Sequence, residues 1–341
     1  MVRSVAKVAA QRLYARWARL PLVDAVLLES FEATSTAGDP AAIAQFLLAQ
    51  TDLPIIWALR EPAPTSDRVS VVRYRSASYF KALATTRYLV NNVTFPPLFT
   101  KRDDQRYLNT WHGTPLKRMG RDVDGPYSQI ANTVANFECA DLLLSSGQYM
   151  TSVMYTGAYG VTDPVVEVGT PRVDRQFGHE QDLVLYAPTW QEASYTQAAD
   201  DTDLLAERMA VLAQAGPVSL RVHGKIAARA YADPRLRPYL IDGDTNDLLG
   251  RARVLITDYS SVAFDYLATG SHVLFLTGDP YPRGVYLSDA ELPGPSTSSL
   301  EEIVGWIADP PPVDLSAARR RFVPHEDGRA TQRVVEMLLS S

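Results

Sequence analysis

The stretch VLITDYSSVAFDYLATG (254–270) decides the fold class. Its first half is an apolar run of strand length, and its second half, VAFDYLATG, carries helical spacing. Ser260 and Ser261 therefore fall where a strand hands over to a helix. The same alternation extends outward in both directions. From Ala25 it runs AVLLES, a helix over 41–49, PIIWAL, SVVRYR, a helix near 79–84, RYLVNN, YLNTWH, a helix around 129–138, LLLSS, a helix after Gln148, and VVEVG. It resumes with LVLYAPTW, a helix over 203–215, VSLRVH, a helix near 247–251, the 254–270 unit and HVLFLT. Strands separated by helices predict parallel sheets with crossover connections. Between the two series, TPRVDRQFGHEQD (170–182) has neither period and reads as a linker. The expected organisation is an amphipathic helix over 1–20, an α/β domain over 21–170, a second over 183–324 and a C-terminal helix over 325–341.

At 341 residues with 46% apolar content, the chain is long enough for two ordinary cores. Its net charge of -6 argues against nucleic acid as a partner, so a polyanion would have to bind in a local basic cleft. The single Cys139 excludes an internal disulfide and a multi-cysteine zinc site, which fits a cytoplasmic protein. No apolar run reaches the ~20 residues of a membrane-spanning helix. The first twenty residues place Val5, Val8, Ala9, Leu13, Trp17 and Leu20 at helical spacing, interrupted by Arg3, Lys7, Arg12, Arg16 and Arg19. Such a helix either lies on an anionic membrane surface or packs on its own domain or a second subunit.

Ligands of parallel α/β sheets bind at the carboxyl ends of strands. His112, Thr189, His223 and Ser260 all fall at such ends. In NTWHGTPLKRMG (109–120), His112 is a candidate general base, Gly113 allows close backbone approach, and Lys117 and Arg118 follow as cations. Ser260 and Ser261 are either phosphate donors at a helix start or an ordinary N-cap. Asp265, four residues after Ser261, shares its helix face, and Asp258 reads as satisfying backbone donors at the strand end. In RVHGK an extended backbone would turn Arg221, His223 and Lys225 to one side, making either a diphosphate site or a solvated strand edge. Arg283 and Gly284 add a further cation at that rim. His179, His272 and His325 have no comparable setting. GxGxxG, GxxxxGK[ST] and HExxH are absent, and Asp201-Thr202-Asp203 is assigned to helix capping.

Taken together these segments resemble the CDP-glycerol glycerophosphotransferase family, the polyol-phosphate primases and polymerases of teichoic acid and capsule synthesis. The resemblance is carried by LLESFEATSTAGDPAAIAQFLL (27–48), KRDDQRYLNTWHGTPLKRMG (101–120), VGTPRVD (168–174), YAPTW (186–190), LRVH (220–223), VLITDYSSVAFDY (254–266) and HEDGRATQRV (325–334). It implies an α/β fold of two Rossmann-like domains facing across a cleft, the GT-B type. It also implies transfer of glycerol phosphate or ribitol phosphate from a CDP-polyol to a hydroxyl of a lipid-linked glycan or polyol-phosphate acceptor, with CMP released. On that resemblance His112 is the base, and Arg221, His223, Ser260 and Ser261 hold the diphosphate. Thr189, Asp258 and Asp265 lie near the nucleotide, and Gly113, Thr114 and Lys117 lie on the acceptor side. No protein metal site is implied, although a divalent cation such as magnesium can arrive with the diphosphate. One departure is Val173, where relatives carry a polar residue, which puts local interdomain hydrogen bonding in question. A single catalytic module suits a single-addition primase, and the basic N-terminal helix suits a peripheral place at the cytoplasmic face of the membrane. The rival readings are a GT-B glycosyltransferase using a nucleotide sugar and a degenerate scaffold of the same fold.

Overall fold

Unbroken apolar runs of four to six residues form strands buried on both faces, the signature of parallel sheets covered by helices. The structure, a computed structural model, describes residues 2–189, 192–194, 197–198, 202–270, 272–278 and 281–340. Side chains of residues 2–7 and of Lys225 are outside the description, as are Trp190 and Asp201, so the capping assigned to Asp201 lies outside the described residues. Two compact units result: residues 1–112, 120–174 and 325–341 form unit 1, and residues 113–119 and 175–324 form unit 2.

Unit 1 is built on seven strands: β1 (Val23–Glu29), β2 (Ile55–Leu59), β3 (Val69–Arg73), β4 (Thr86–Asn91), β5 (Arg106–Asn109), β6 (Leu142–Ser145) and β7 (Val165–Glu167). Their order is β3-β2-β1-β4-β5-β6-β7, every pair parallel. The order reverses between β1 and β4, so a crevice opens at their carboxyl ends. Val26, Leu28, Trp57, Val90 and Leu108 pack on one face with Ile43 and Leu47 of the helix Asp39–Gln50. Val334, Val335 and Leu338 of the C-terminal helix Ala330–Leu339 join the same cluster.

In unit 2 the strands are β8 (Leu183–Tyr186), a small hairpin of β9 (Glu192–Ser194) and β10 (Gln197–Ala198), β11 (Ser219–Leu220), β12 (Ala252–Thr257), β13 (His272–Leu276) and β14 (Ser296–Thr297). The parallel sheet has the order β11-β8-β12-β13-β14, with its reversal between β8 and β12. Its core joins Tyr186, Leu220, Ile256 and Leu274 to Met209 and Ile303 of the covering helices.

The segment read as a linker does carry the chain from unit 1 to unit 2, between Asp174 and Arg175, but its first part is packed structure. Pro171–Gln176 forms a tight helical turn, and Thr170, Arg172 and Val173 are buried. The reason is electrostatic. Arg172 donates from Nη1 to Asp39 Oδ2 at 2.6 Å and from its backbone N–H to Asp39 Oδ1 at 2.9 Å, and both residues are buried. Asp174 accepts from the N–H groups of Ala330 and Thr331 at 3.0 and 2.7 Å, supplying the N-terminal cap that the C-terminal helix lacks in its own sequence. Val173 is fully buried and its N–H bonds Thr170 O within unit 1, so its apolar side chain serves the core.

The N-terminal helix, Val2–Trp17, packs on unit 1 through buried Tyr14, whose hydroxyl donates to Thr100 O at 3.3 Å. Val8, Leu13 and Leu20 stay exposed. No helix among the described residues is long and apolar enough to cross a membrane.

Asp39→Ala removes one partner of a buried ion pair and should cost ~3–5 kcal/mol in urea unfolding. Asp174→Ala removes only a cap and should cost ~1 kcal/mol. Equal losses in the two variants would show that the buried pair does not dominate this corner of unit 1.

Candidate active site

One strand away from the switch point of unit 1, β5 ends at Asn109 and the chain turns sharply. Trp111 adopts φ +50, a left-handed conformation that is costly for a bulky residue. Its surroundings hold it there. Asn109 Oδ1 accepts the Trp111 N–H at 2.9 Å, and the indole ring stacks on His112 at 4.2 Å while Phe137 and Tyr159 meet it edge-on. Asn109 Nδ2 is fixed in turn by Asn91 Oδ1 at 2.9 Å and Val93 O at 2.8 Å.

This turn orients His112. Its Nδ1 lies 2.7 Å from the Asn92 carbonyl oxygen. A carbonyl can only accept, so Nδ1 carries the hydrogen and Nε2 keeps its lone pair. Burial pushes the His112 pKa down to about 4; the bond to Asn92 opposes this and the nearby Arg172 guanidinium adds to it. The ring is therefore neutral at pH 7, with its basic nitrogen available. Asn92 also accepts the Phe31 N–H through Oδ1 at 2.7 Å and donates from Nδ2 to Ser30 Oγ at 3.1 Å, and the Phe31 ring lies edge-on to His112 at 6.1 Å.

The switch point of unit 2 gathers a different chemistry. Asp258, just past β12, accepts the Thr189 N–H through Oδ1 and Oδ2 at 2.9 and 3.1 Å and the Thr189 hydroxyl at 2.9 Å. Burial raises the Asp258 pKa, while the Thr189 bonds and the charge of Lys117 counter it. Asp258 thus satisfies a backbone donor across the crevice, as expected from its place at a strand end. Ser260 and Ser261 follow, before a short helix, Val262–Tyr266. Ser261 makes no side-chain capping bond, and Ser260 Oγ accepts only a long 3.4 Å contact from Val262 N–H. Ordinary N-capping does not account for this pair. Asp265 is half-buried on that helix.

Residues 113–119, expected on the acceptor side within the first domain, pack instead as part of unit 2. Lys117 bridges Val285, the Arg118 N–H donates to Gly284 O at 3.1 Å, and the Tyr286 N–H donates to Leu116 O at 2.8 Å. The Lys117 ammonium sits 4.1 Å above the Tyr281 ring, with the Arg283 guanidinium 5.8 Å from the same ring. Gly113 lies so close to Ser261 that a Cβ there would stand 2.6 Å from its hydroxyl oxygen. Thr114 is buried in the same segment. These backbone pairings, made by residues far apart in sequence, move Gly113, Thr114 and Lys117 to the serine crevice.

The RVHGK expectation also fails in part. β11 ends at Leu220, His223 O accepts the Ile226 N–H, and the helix Gly224–Ala232 has already begun at Lys225. Arg221, His223 and Lys225 therefore do not share one strand face. Arg221 and His223 still lie just beyond the carboxyl end of β11, beside β8. No group of three or more His, Cys, Asp or Glu side chains among the described residues is arranged to hold a metal ion. Asn92, Trp111, Asn109 and the Asp39–Arg172 pair were not singled out from sequence; the doubled asparagine ending RYLVNN was the available signal for the first.

A stability titration tests the histidine. His112 has a folded pKa near 4, below its ordinary value near 6.5, so unfolded chains bind more protons between those pH values. Stability should be complete above about pH 6.5 and fall by up to about 3 kcal/mol as pH drops toward 4. In His112→Asn that part of the loss should vanish; equal pH slopes in both proteins would place the low pKa elsewhere.

Residues 13–340 match the family described as CDP-Glycerol:Poly(glycerophosphate) glycerophosphotransferase. A teichoic acid glycerol-phosphate transferase of Staphylococcus aureus is 27% identical, the alignment covering 94% of each chain. A teichoic acid poly(glycerol phosphate) polymerase of Bacillus subtilis is 26% identical over 93% of this chain, which spans only about half, 48%, of that longer protein. Among solved structures, one of the wall teichoic acid polymerase TagF shares the fold, with a TM-score of 0.80 and 22% identity over 99% of this chain and 94% of that one.

Proposed function

The chain belongs to the CDP-glycerol:poly(glycerophosphate) glycerophosphotransferase family, and from that premise we propose that it moves a polyol phosphate from a CDP-polyol to an acceptor hydroxyl in teichoic acid synthesis. The observation that carries the reading is the neutral histidine. His112 keeps Nδ1 on the Asn92 carbonyl and offers Nε2 at a strand-order reversal. In the reaction, Nε2 takes the hydroxyl proton as the acceptor oxygen bonds to the polyol-bearing phosphorus. The bond from that phosphorus to the bridging oxygen breaks, and CMP leaves with the electron pair.

Ser260, Ser261, Arg221 and His223 hold the diphosphate, where fixed donors and cations offset the charge growing on the leaving oxygens. Lys117 and Arg283, assembled around Tyr281 in the same unit, add positive charge there. Gly113 belongs to this donor side. Thr189, Asp258 and Asp265 border the nucleotide. The two units act as the halves of a GT-B enzyme, unit 1 supplying the base and unit 2 the donor site. The donor set does not suit a resident metal, since Asp258 spends both oxygens on Thr189; a divalent cation such as magnesium would arrive on the diphosphate. The acceptor is a membrane-lipid-linked glycan or polyol phosphate, met at the cytoplasmic face of the membrane by the arginine-bearing N-terminal helix, whose Val8 and Leu13 are exposed, as is Leu20 just past its end.

Nucleotide release by the purified protein decides the reaction class. CDP-glycerol or CDP-ribitol with a short lipid-diphosphate glycan acceptor should yield CMP, and His112→Ala should lower turnover ~10²–10⁴-fold with donor binding intact. Release of UDP from a UDP-sugar, with both CDP-polyols inert, would replace this reading by sugar transfer. Gly113→Ala should crowd Ser261 and raise the KM for the CDP-polyol more than it lowers kcat.

A further inference from the structure

Beyond β2 and β3, at the carboxyl edge of unit 1, two guanidinium groups converge on one aromatic ring. The Arg60 and Arg75 guanidinium carbons lie 5.0 and 5.1 Å from the Tyr74 ring centroid, and both residues are exposed. Arg75 takes a left-handed backbone with φ +58 to reach this position. Exposed Arg73 ends β3 next to them. Like charges gathered on one ring repel, and an unusual backbone adds strain. A shared anion would offset the repulsion.

The counter-charge within the protein is small. Glu32 is taken by Arg60, Nη2 to Oε2 at 3.2 Å, whereas Arg73 and Arg75 have no carboxylate partner among the described residues. Exposed Glu61 follows Arg60. The other nearby carboxyl, Glu29, is 1% exposed; the Tyr79 hydroxyl donates to its Oε2 at 2.6 Å, and Oε1 has no partner. Burial pushes Glu29 up to about 8, so near pH 7 it is mostly protonated and leaves the arginine charge largely uncancelled.

Contacts tie this cluster to the histidine. The Arg60 backbone N–H donates to Ala33 O at 2.9 Å, and its Nε donates to Glu32 O at 2.9 Å. Phe31, Glu32 and Ala33 form a left-handed turn, with φ of 46, 53 and 64°. Phe31 is the ring set against His112 at 6.1 Å. Arg60 therefore anchors the loop that walls the base, and the cluster lies one loop away from it. Arginine forks suit phosphate oxygens, and stacking on Tyr74 preorganises them.

We propose that Arg60, Arg75 and Tyr74, with Arg73 at the rim, form an acceptor subsite that binds a phosphate ester of the acceptor while its terminal hydroxyl lies at His112. This rests on the proposed transfer reaction. The phosphate belongs either to the polyol-phosphate chain or to the diphosphate joining glycan to lipid.

Binding without turnover tests the subsite. Fluorescein-labelled oligo(glycerol phosphate) and a labelled, lipid-free sugar diphosphate are titrated onto the full chain by anisotropy at two salt concentrations, with CDP-glycerol binding followed by calorimetry. Arg75→Ala should weaken at least one probe ~10-fold and reduce its salt slope by about one, with CDP-glycerol affinity unchanged. Arg87→Ala, at the amino end of β4 where Arg87 pairs with Asp24, should change neither. Loss confined to the oligomer assigns the chain phosphate, and loss confined to the sugar diphosphate assigns the lipid-proximal one. Unchanged binding of both probes in Arg75→Ala, or equal weakening in Arg87→Ala, overturns the subsite. If wild type releases no CMP from any CDP-polyol but Arg75→Ala still loses the probe, the transfer reading fails and the anion subsite stands.

Discussion

Three hydrogen bonds gathered on Asn92 hold the working edge of unit 1 together. Its carbonyl takes His112, its amide oxygen takes the Phe31 N–H, and its amide nitrogen reaches Ser30. Asn92 directly follows β4, and Ser30 directly follows β1, the two strands between which the order reverses. Parallel strands diverge there, and their last backbone groups have no neighbour to pair with. A side chain carrying both a donor and an acceptor fills that gap. The tautomer of His112 follows from the same constraint, because only a carbonyl faces Nδ1.

Each unit resolves its polar crevice differently. Unit 1 buries its charges as a matched pair, Asp39 with Arg172, and keeps its titratable groups uncharged, as burial does to both Glu29 and His112. Unit 2 spends its carboxylate, Asp258, on Thr189 and sets the charges of Lys117 and Arg208 near it, with Lys117 and Arg283 both over the Tyr281 ring. One environment favours a neutral base, and the other favours a bound anion. Proton transfer and phosphate binding make opposite demands on local charge, so separate crevices serve them better than one.

What the sequence made legible was local. The strand ends bearing His112, Asp258 and Ser260 follow from apolar runs that stop abruptly, since a buried strand must end where polar residues begin. The left-handed turn at Trp111 was not legible, because it is held by stacking and by Asn109 rather than by a glycine. The placement of residues 113–119 depends on pairing with Gly284 and Val285, some 170 positions away, and no local period records such a pairing. In 170–182 the absence of period did mark the passage between the two units, which falls between Asp174 and Arg175, but not its packing: Arg172 and Asp174 are held by Asp39 and by the C-terminal helix, so ion pairing and capping stand in for hydrophobic periodicity. RVHGK failed for a third reason. Alternation over five residues cannot distinguish a strand from a short strand end running into a helix.

A histidine with a pKa near 4 is a weak base, and this constrains the proposed chemistry. It cannot hold a hydroxyl proton before the phosphorus bond forms, because the hydroxyl is far less acidic than the imidazolium. Deprotonation can instead accompany formation of the oxygen–phosphorus bond, so early deprotonation is not required. As the new bond forms, the hydroxyl becomes strongly acidic and even a weak base suffices. In the proposed complex an anionic substrate phosphate near the ring would also favour the imidazolium and raise its pKa relative to the free protein. Under the proposed reaction, desolvation keeps His112 neutral in the free protein, and the charge of a bound substrate would restore its basicity when the proton moves. The fixed Nδ1 bond means that no ring rotation is needed between those two states.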